Sequence, residues 1–83
     1  MKESRSTNWT YAERIDTRGL HCPLPVLKAR KALLALDAGT RLLVEASDPM
    51  TALDFPHYCQ ESGHRLIDSE TEGTTLRFLI ERS

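Results

Sequence analysis

Several of the features that usually announce a protein's function are scarce in this chain, and each shortage excludes something. No apolar run approaches the ~20 residues needed to cross a bilayer, so neither a membrane-spanning helix nor a membrane partner is expected. The opening stretch from Met1 to Thr10 is polar and lacks the hydrophobic centre of a secretory signal, which makes the cytoplasm the expected compartment. Net charge is nearly absent, −1 from 11 basic and 12 acidic side chains. Proteins that hold nucleic acid by neutralising phosphates carry a basic surface, so direct nucleic acid binding is not expected. Cysteine is limited to Cys22 and Cys59. In a cytoplasmic chain these are expected as free thiols and not as a structural disulfide. They are too far apart in sequence to form a Cys-x-x-Cys redox or zinc motif. Internal repeats and low-complexity segments are absent.

Length sets the next limit. A chain of 83 residues makes one domain, expected over residues 11–83 behind a loose tail of residues 1–10, with Trp9 the one tail residue suited to docking. A domain this small buries only about 60–65% of its unfolded surface, which leaves little room for a deep pocket around a large cofactor. Chemistry is therefore expected at the surface, on a reactive side chain that a partner can approach. The size also favours a monomer. An apolar content of 40% with 28% charged residues is ordinary for a soluble globular domain.

The periodicity of the chain predicts its elements. Tyr11 to Asp16 alternates weakly as a first strand, and Thr17-Arg18-Gly19 reads as a turn. From Pro23 to Leu36 the period is helical: at ~100° per residue, Val26, Ala29, Ala32, Leu33 and Leu36 share one face. Gly39 suits the stop. Arg41 to Ser47 alternates as a strand. Asp48-Pro49 then reads as a cap followed by a first helical proline, with Pro56 expected to kink this second helix and Gly63 to close it. His64 to Glu70 and the segment around Leu76, Phe78 and Ile80 form two further strands, joined by a turn at Glu72-Gly73. The order β-α-β-α-β-β predicts an α+β two-layer sandwich, with a mixed four-stranded sheet and both helices on one face. Helical crossovers imply parallel neighbours, the final hairpin is antiparallel, and the uncovered sheet face should be partly solvated.

The chemically informative segment is Gly19-Leu20-His21-Cys22-Pro23-Leu24-Pro25. Two prolines two residues apart fit only the first turn of a helix, where amides have no internal partner. Cys22 then falls at or just before the helix start, and Gly19 frees the chain to turn into place. A helix N-terminus stabilises a nearby anion by about 0.3–1 kcal/mol, so the thiol pKa is expected below its ordinary value, with a useful thiolate fraction at neutral pH. His21 and Arg18 are expected to help if they face the sulfur. The stiff loop should present the thiol to solvent, with an exposed Leu24 beside it as part of a docking surface. The competing reading treats Cys22 as a small buried hydrophobe.

At these residues the sequence resembles the TusA/SirA-like sulfur carrier family, whose signature is a Cys-Pro-x-Pro opening the first helix after a Gly-Leu pair. The resemblance continues through Arg30-Lys31, Gly39, Asp48-Pro49, Asp54-Phe55-Pro56-x-Tyr58-Cys59, Gly63-His64 and Glu70-Thr71-Glu72-Gly73, covering roughly residues 12 to 82. It implies the same β-α-β-α-β-β sandwich and a persulfide on Cys22, supported by Gly19, Leu20, Pro23 and Pro25, with no metal or organic cofactor. It also implies a cysteine desulfurase or similar persulfide donor and a downstream sulfur-acceptor protein. Family members feed tRNA 2-thiouridine formation, molybdenum cofactor assembly or sulfur oxidation. The branch that gives the family its first name has an acidic residue between the two prolines, where this chain has Leu24.

Other polar residues are candidates of lower rank. Cys59, in a helix with Phe55 and Tyr58, reads as a core thiol or else as a resolving partner for Cys22 in a redox protein. His21, His57 and His64 with the two cysteines match no usual zinc spacing. Arg18, Lys28, Arg30 and Lys31 make a small basic group around the first helix, either a solvated face or a contact for an acidic partner. A third possibility is a non-catalytic binding module that docks through Leu24, Leu27 and Leu34.

Overall fold

The computed structural model describes residues 9–83, so the tail expected over residues 1–10 lies mostly outside the described residues; Trp9 is half-buried. The elements are β1 (Glu13–Asp16), α1 (Leu24–Leu34), β2 (Arg41–Ala46), α2 (Thr51–Ser62), β3 (Arg65–Glu72) and β4 (Thr75–Glu81). The single mixed sheet has the order β1-β2-β4-β3. The β1-α1-β2 crossover makes β1 and β2 parallel neighbours, while β4 runs antiparallel to both β2 and β3.

That order corrects one expectation. The crossover through α2 does not make β3 a neighbour of β2, because β4 inserts between them. Apolar content explains the insertion. Phe78, Leu79 and Ile80 of β4 are buried, as is all of β2 beyond Arg41, whereas β3 carries Arg65, Asp68, Glu70 and Glu72. Charged strands belong at sheet edges, where they also discourage edge-to-edge association, and the polar Glu13–Asp16 strand takes the other edge.

Helical faces match the expected stripe. Pro25, Ala29 and Leu33 of α1 are buried, with Val26, Ala32 and Leu36 packed partly against the same core. From α2 come Thr51, Phe55 and Cys59. Phe55 and Cys59 meet Leu42, Val44 and Ala46 of β2 and Phe78 and Ile80 of β4, and the Phe55 and Phe78 rings approach to 4.6 Å between centroids. Helix boundaries differ modestly from expectation. The first helix ends at Leu34, with Gly39 (φ 89°) in the later turn into β2. The second begins at Thr51 and runs on through Pro56.

The sheet face away from the helices is less open than expected. Leu43 lies opposite Leu79, and both are buried. Beside them the buried Glu45 carboxylate accepts from Arg14 Nε at 2.7 Å and Arg77 Nε at 2.9 Å. Arg77 Nη1 reaches on to Glu70 and Glu72. Aliphatic arginine stems cover apolar surface while their charged ends are paired. Among the described residues, no helix is long and apolar enough to cross a membrane.

The Phe55–Phe78 contact sets the first test. Phe55→Ala should lower the unfolding free energy by about 3–5 kcal/mol, a large part of the usual margin. Leu34→Ala, on an exposed residue, should change it by less than about 0.5 kcal/mol. Urea denaturation followed by circular dichroism measures both.

Candidate functional site

The site is assembled where the parallel strands β1 and β2 end, the edge at which open α/β sheets place their ligands. Chain leaving β1 is fastened to β2 at once. Thr17 is fully buried, and its N–H and Oγ1 both donate to the Glu45 carbonyl at 2.7 Å. Gly19 adopts φ 88°, a conformation costing other residues roughly 1–2 kcal/mol, and its N–H donates to Ser47 Oγ at 2.8 Å. Leu20 N–H closes the turn on the Thr17 carbonyl. Cys22 N–H then donates to Asp48 Oδ2 at 2.8 Å, while Asp48 Oδ1 accepts from Met50 N–H at 3.0 Å. One carboxylate therefore ties the Cys22 loop to the turn that opens α2. Those two amides, with the charge of His21 nearby, hold the Asp48 carboxyl below its ordinary pKa.

Leu24 starts α1, its N–H taken by the His21 carbonyl at 2.8 Å. Pro23 stands just before the helix after a cis peptide bond, and Pro25 lies in its first turn. Cys22 is exposed directly ahead of the helix, as the two prolines require.

The electrostatics at the sulfur run opposite to expectation. The Cys22 thiol is pushed above its ordinary pKa, first by the nearby Asp54 carboxylate, which favours the protonated thiol, then by partial desolvation and the charges of Asp54 and Asp48. The expected helix-end stabilisation is thin for a local reason. Pro23 and Pro25 have no amide hydrogen, the Leu24 amide is taken by His21, and the amide of Cys22 itself goes to Asp48. Arg18 contributes nothing to the thiol: its guanidinium is paired with Asp16 at 2.9 Å through both Nε and Nη2.

Cys22 and Asp54 share a shallow groove of about 240 Å³ between the helices, walled by Pro23, Val26, His57, Tyr58 and Glu61. This is smaller than the 300–1,000 Å³ usual for small-molecule sites. Leu24, Leu27, Met50 and Leu53, from the starts of both helices, are all at least 46% exposed. Leu24 was expected there. Met50 and Leu53 were not singled out, although Phe55 and Cys59 facing inward should have turned Leu53 outward. Lys28 and Arg30 are exposed along α1.

Of the remaining candidates, Cys59 and His64 lie away from the groove, while His57 is one of its walls. Cys59 is 4% exposed within the core, and burial pushes its thiol up to about 11. His57 faces Glu61 at 3.8 Å. His64 Nδ1 accepts from Ser83 N–H at 3.0 Å, its ring tilted against Tyr58. Among the described residues, no group of three or more metal-ligating side chains comes together.

A family model described as "Sulfurtransferase TusA" matches residues 13–82, from the first residue of β1 to just past β4. The chain belongs to the TusA family. A curated member, the "Sulfur carrier protein TusA" of Allochromatium vinosum, is 40% identical over 73 residues, which cover 88% of this chain and 96% of the relative. Among solved structures, the SirA-like protein from Desulfitobacterium hafniense superimposes with a TM-score of 0.75 at 25% identity, over 84% of this chain and 96% of that one. The TusA-family fold is thus the two-layer sandwich described above.

The contrast between the two thiols is directly measurable. In the native protein, iodoacetamide should alkylate Cys22 alone, and Cys59 only after unfolding. Because the folded-state pKa of Cys22 is raised, its alkylation rate should climb with pH to a midpoint above that of an ordinary thiol. Peptide mapping across a pH series reads both effects.

Proposed function

We propose that this protein carries sulfur as a persulfide on Cys22, taking it from a cysteine desulfurase or similar persulfide donor and passing it to an acceptor protein. The observation that carries this reading is the thiol itself: exposed, held on a loop fastened at Thr17, Gly19 and Cys22 to the end of β2 and the loop beyond it, and open to a shallow groove of about 240 Å³. Membership of a family whose curated relative is named a sulfur carrier supports it.

The chemistry needs no oxidant from outside. Cys22 Sγ attacks the terminal sulfur of the donor persulfide, a new S–S bond forms on Cys22, and the donor's S–S bond breaks with its cysteine leaving as a thiol. Delivery repeats the exchange in the other direction, now with Cys22 as the leaving group. Gly19 and Leu20 shape the loop, and Pro23 and Pro25 stiffen it so that little freedom is lost when a partner docks. The exposed Leu24, with Lys28 and Arg30 further along α1, forms the docking face. Candidate end points for the sulfur are tRNA 2-thiouridine, the molybdenum cofactor and sulfur oxidation. Burial of Cys59 in the core disfavours the dithiol alternative.

Incubation with a cysteine desulfurase and cysteine, followed by intact mass measurement, tests the carrier role. Wild type should gain one sulfur atom, lost again on treatment with dithiothreitol; Cys22→Ser should gain none, and Cys59→Ser should load like wild type. Equal loss in both variants would indicate a dithiol mechanism. A wild type that neither loads nor alkylates would leave only a binding module.

A further inference from the structure

The geometry points to Asp54 as the group that takes the Cys22 proton when sulfur is loaded, a role that rests on the carrier function proposed above. Elimination among the neighbours leads to it. The titratable groups around the thiol are His21 beside it in the chain, Asp48 from the β2–α2 loop, and Asp54, His57, Tyr58 and Glu61 from α2. Asp48 has both oxygens occupied by backbone amides, those of Cys22 and Met50. His57 faces Glu61. His21 acts on Asp48. Tyr58 is a phenol whose own pKa is raised by burial, so it is a poor acceptor at neutral pH. Asp54 is left, a carboxylate that shares the groove with the thiol and whose buried Oδ2 accepts no hydrogen bond from the described residues. A buried carboxylate oxygen without a partner calls for an explanation, and a proton taken from Cys22 Sγ during loading supplies one. Contacts of this kind are often loose before the partner binds.

The step balances as follows. The thiol proton passes to the Asp54 carboxylate as Cys22 Sγ bonds to the terminal sulfur of the donor persulfide. The donor's S–S bond breaks, its electron pair leaves on the donor cysteine sulfur, and that sulfur takes the proton from Asp54. A thiol and a persulfide thus exchange places with no net proton or electron. The same carboxylate disfavours a free thiolate in the empty carrier. The unloaded thiol therefore stays protonated until a donor arrives, and the thiolate character develops only as the S–S bond forms.

Asp54→Asn and the conservative Asp54→Glu separate this role from a structural one, with circular dichroism confirming that both are folded. In the free carrier, Asp54→Asn should move the alkylation midpoint of Cys22 to lower pH, making the thiol more reactive toward iodoacetamide at neutral pH. Sulfur loading from the desulfurase should nevertheless slow by about 10²-fold, the lower end of what a positioned base contributes. Asp54→Glu should recover most of that rate. Loading of Asp54→Asn at the wild-type rate would overturn the role of Asp54 while leaving the carrier function standing. An unshifted alkylation profile in Asp54→Asn would overturn it as well. A wild type that alkylates but takes up no sulfur would overturn the carrier function and the Asp54 role with it.

Discussion

The Asp48 carboxylate accepts the Cys22 amide with one oxygen and the Met50 amide with the other, and the arrangement of the site follows from that bridge. Two loops leave the sheet at neighbouring strand ends, each free in principle to take many paths. Charge-assisted hydrogen bonds of this kind are roughly twice as strong as neutral ones. Here a single side chain sets where the first helix begins relative to the second, and so where the sulfur stands relative to Asp54. The links from Thr17 to Glu45 and from Gly19 to Ser47 carry the same registration back to the sheet. A thiol on an exposed loop thus acquires a defined surrounding without being buried.

The core holds the other half of the arrangement. Asp54 precedes Phe55, which is fully buried and lies against Phe78 of the central strand β4. The carboxylate therefore sits on a helix whose rotation is set by aromatic packing. The opposite sheet face is closed by Leu43, Leu79 and the Glu45–Arg77 pair, so β4 is packed on both sides. Isolated buried ion pairs are weak evidence for stability. This one neutralises a carboxylate that would otherwise be costly between two apolar strands.

Much of this was legible in the sequence. The Cys-Pro-Leu-Pro frame admits one location for Cys22, ahead of a helix, because prolines fit only the first turn. Apolar periodicity placed both helices and all four strands to within a few residues. Three features were not legible, each because it depends on contacts distant in sequence. Insertion of β4 beside β2 is a choice between sheet edges that crossovers do not dictate. The rise in the Cys22 pKa depends on how many helix-end amides remain free and on which carboxylates approach, and Pro23 and Pro25 remove amides while positioning the sulfur. Asp54 stands out in the sequence only as part of the family resemblance, and an acidic residue near a helix start is explained by the helix dipole alone. Arg18, next to the motif in sequence, spends its charge on Asp16 instead.

The groove between the helices also has a consequence for traffic. Cys22 is the exposed one of the two thiols, and it opens on the groove walled by Pro23 and Val26 and by His57, Tyr58 and Glu61 of α2. With sulfur carried on Cys22 as proposed, a supplier and a recipient must then occupy the same doorway by turns. Empty carrier competes with loaded carrier at the recipient, and loaded competes with empty at the supplier. Throughput is highest when each partner releases the protein soon after exchange, which favours brief, moderate binding over a lasting complex.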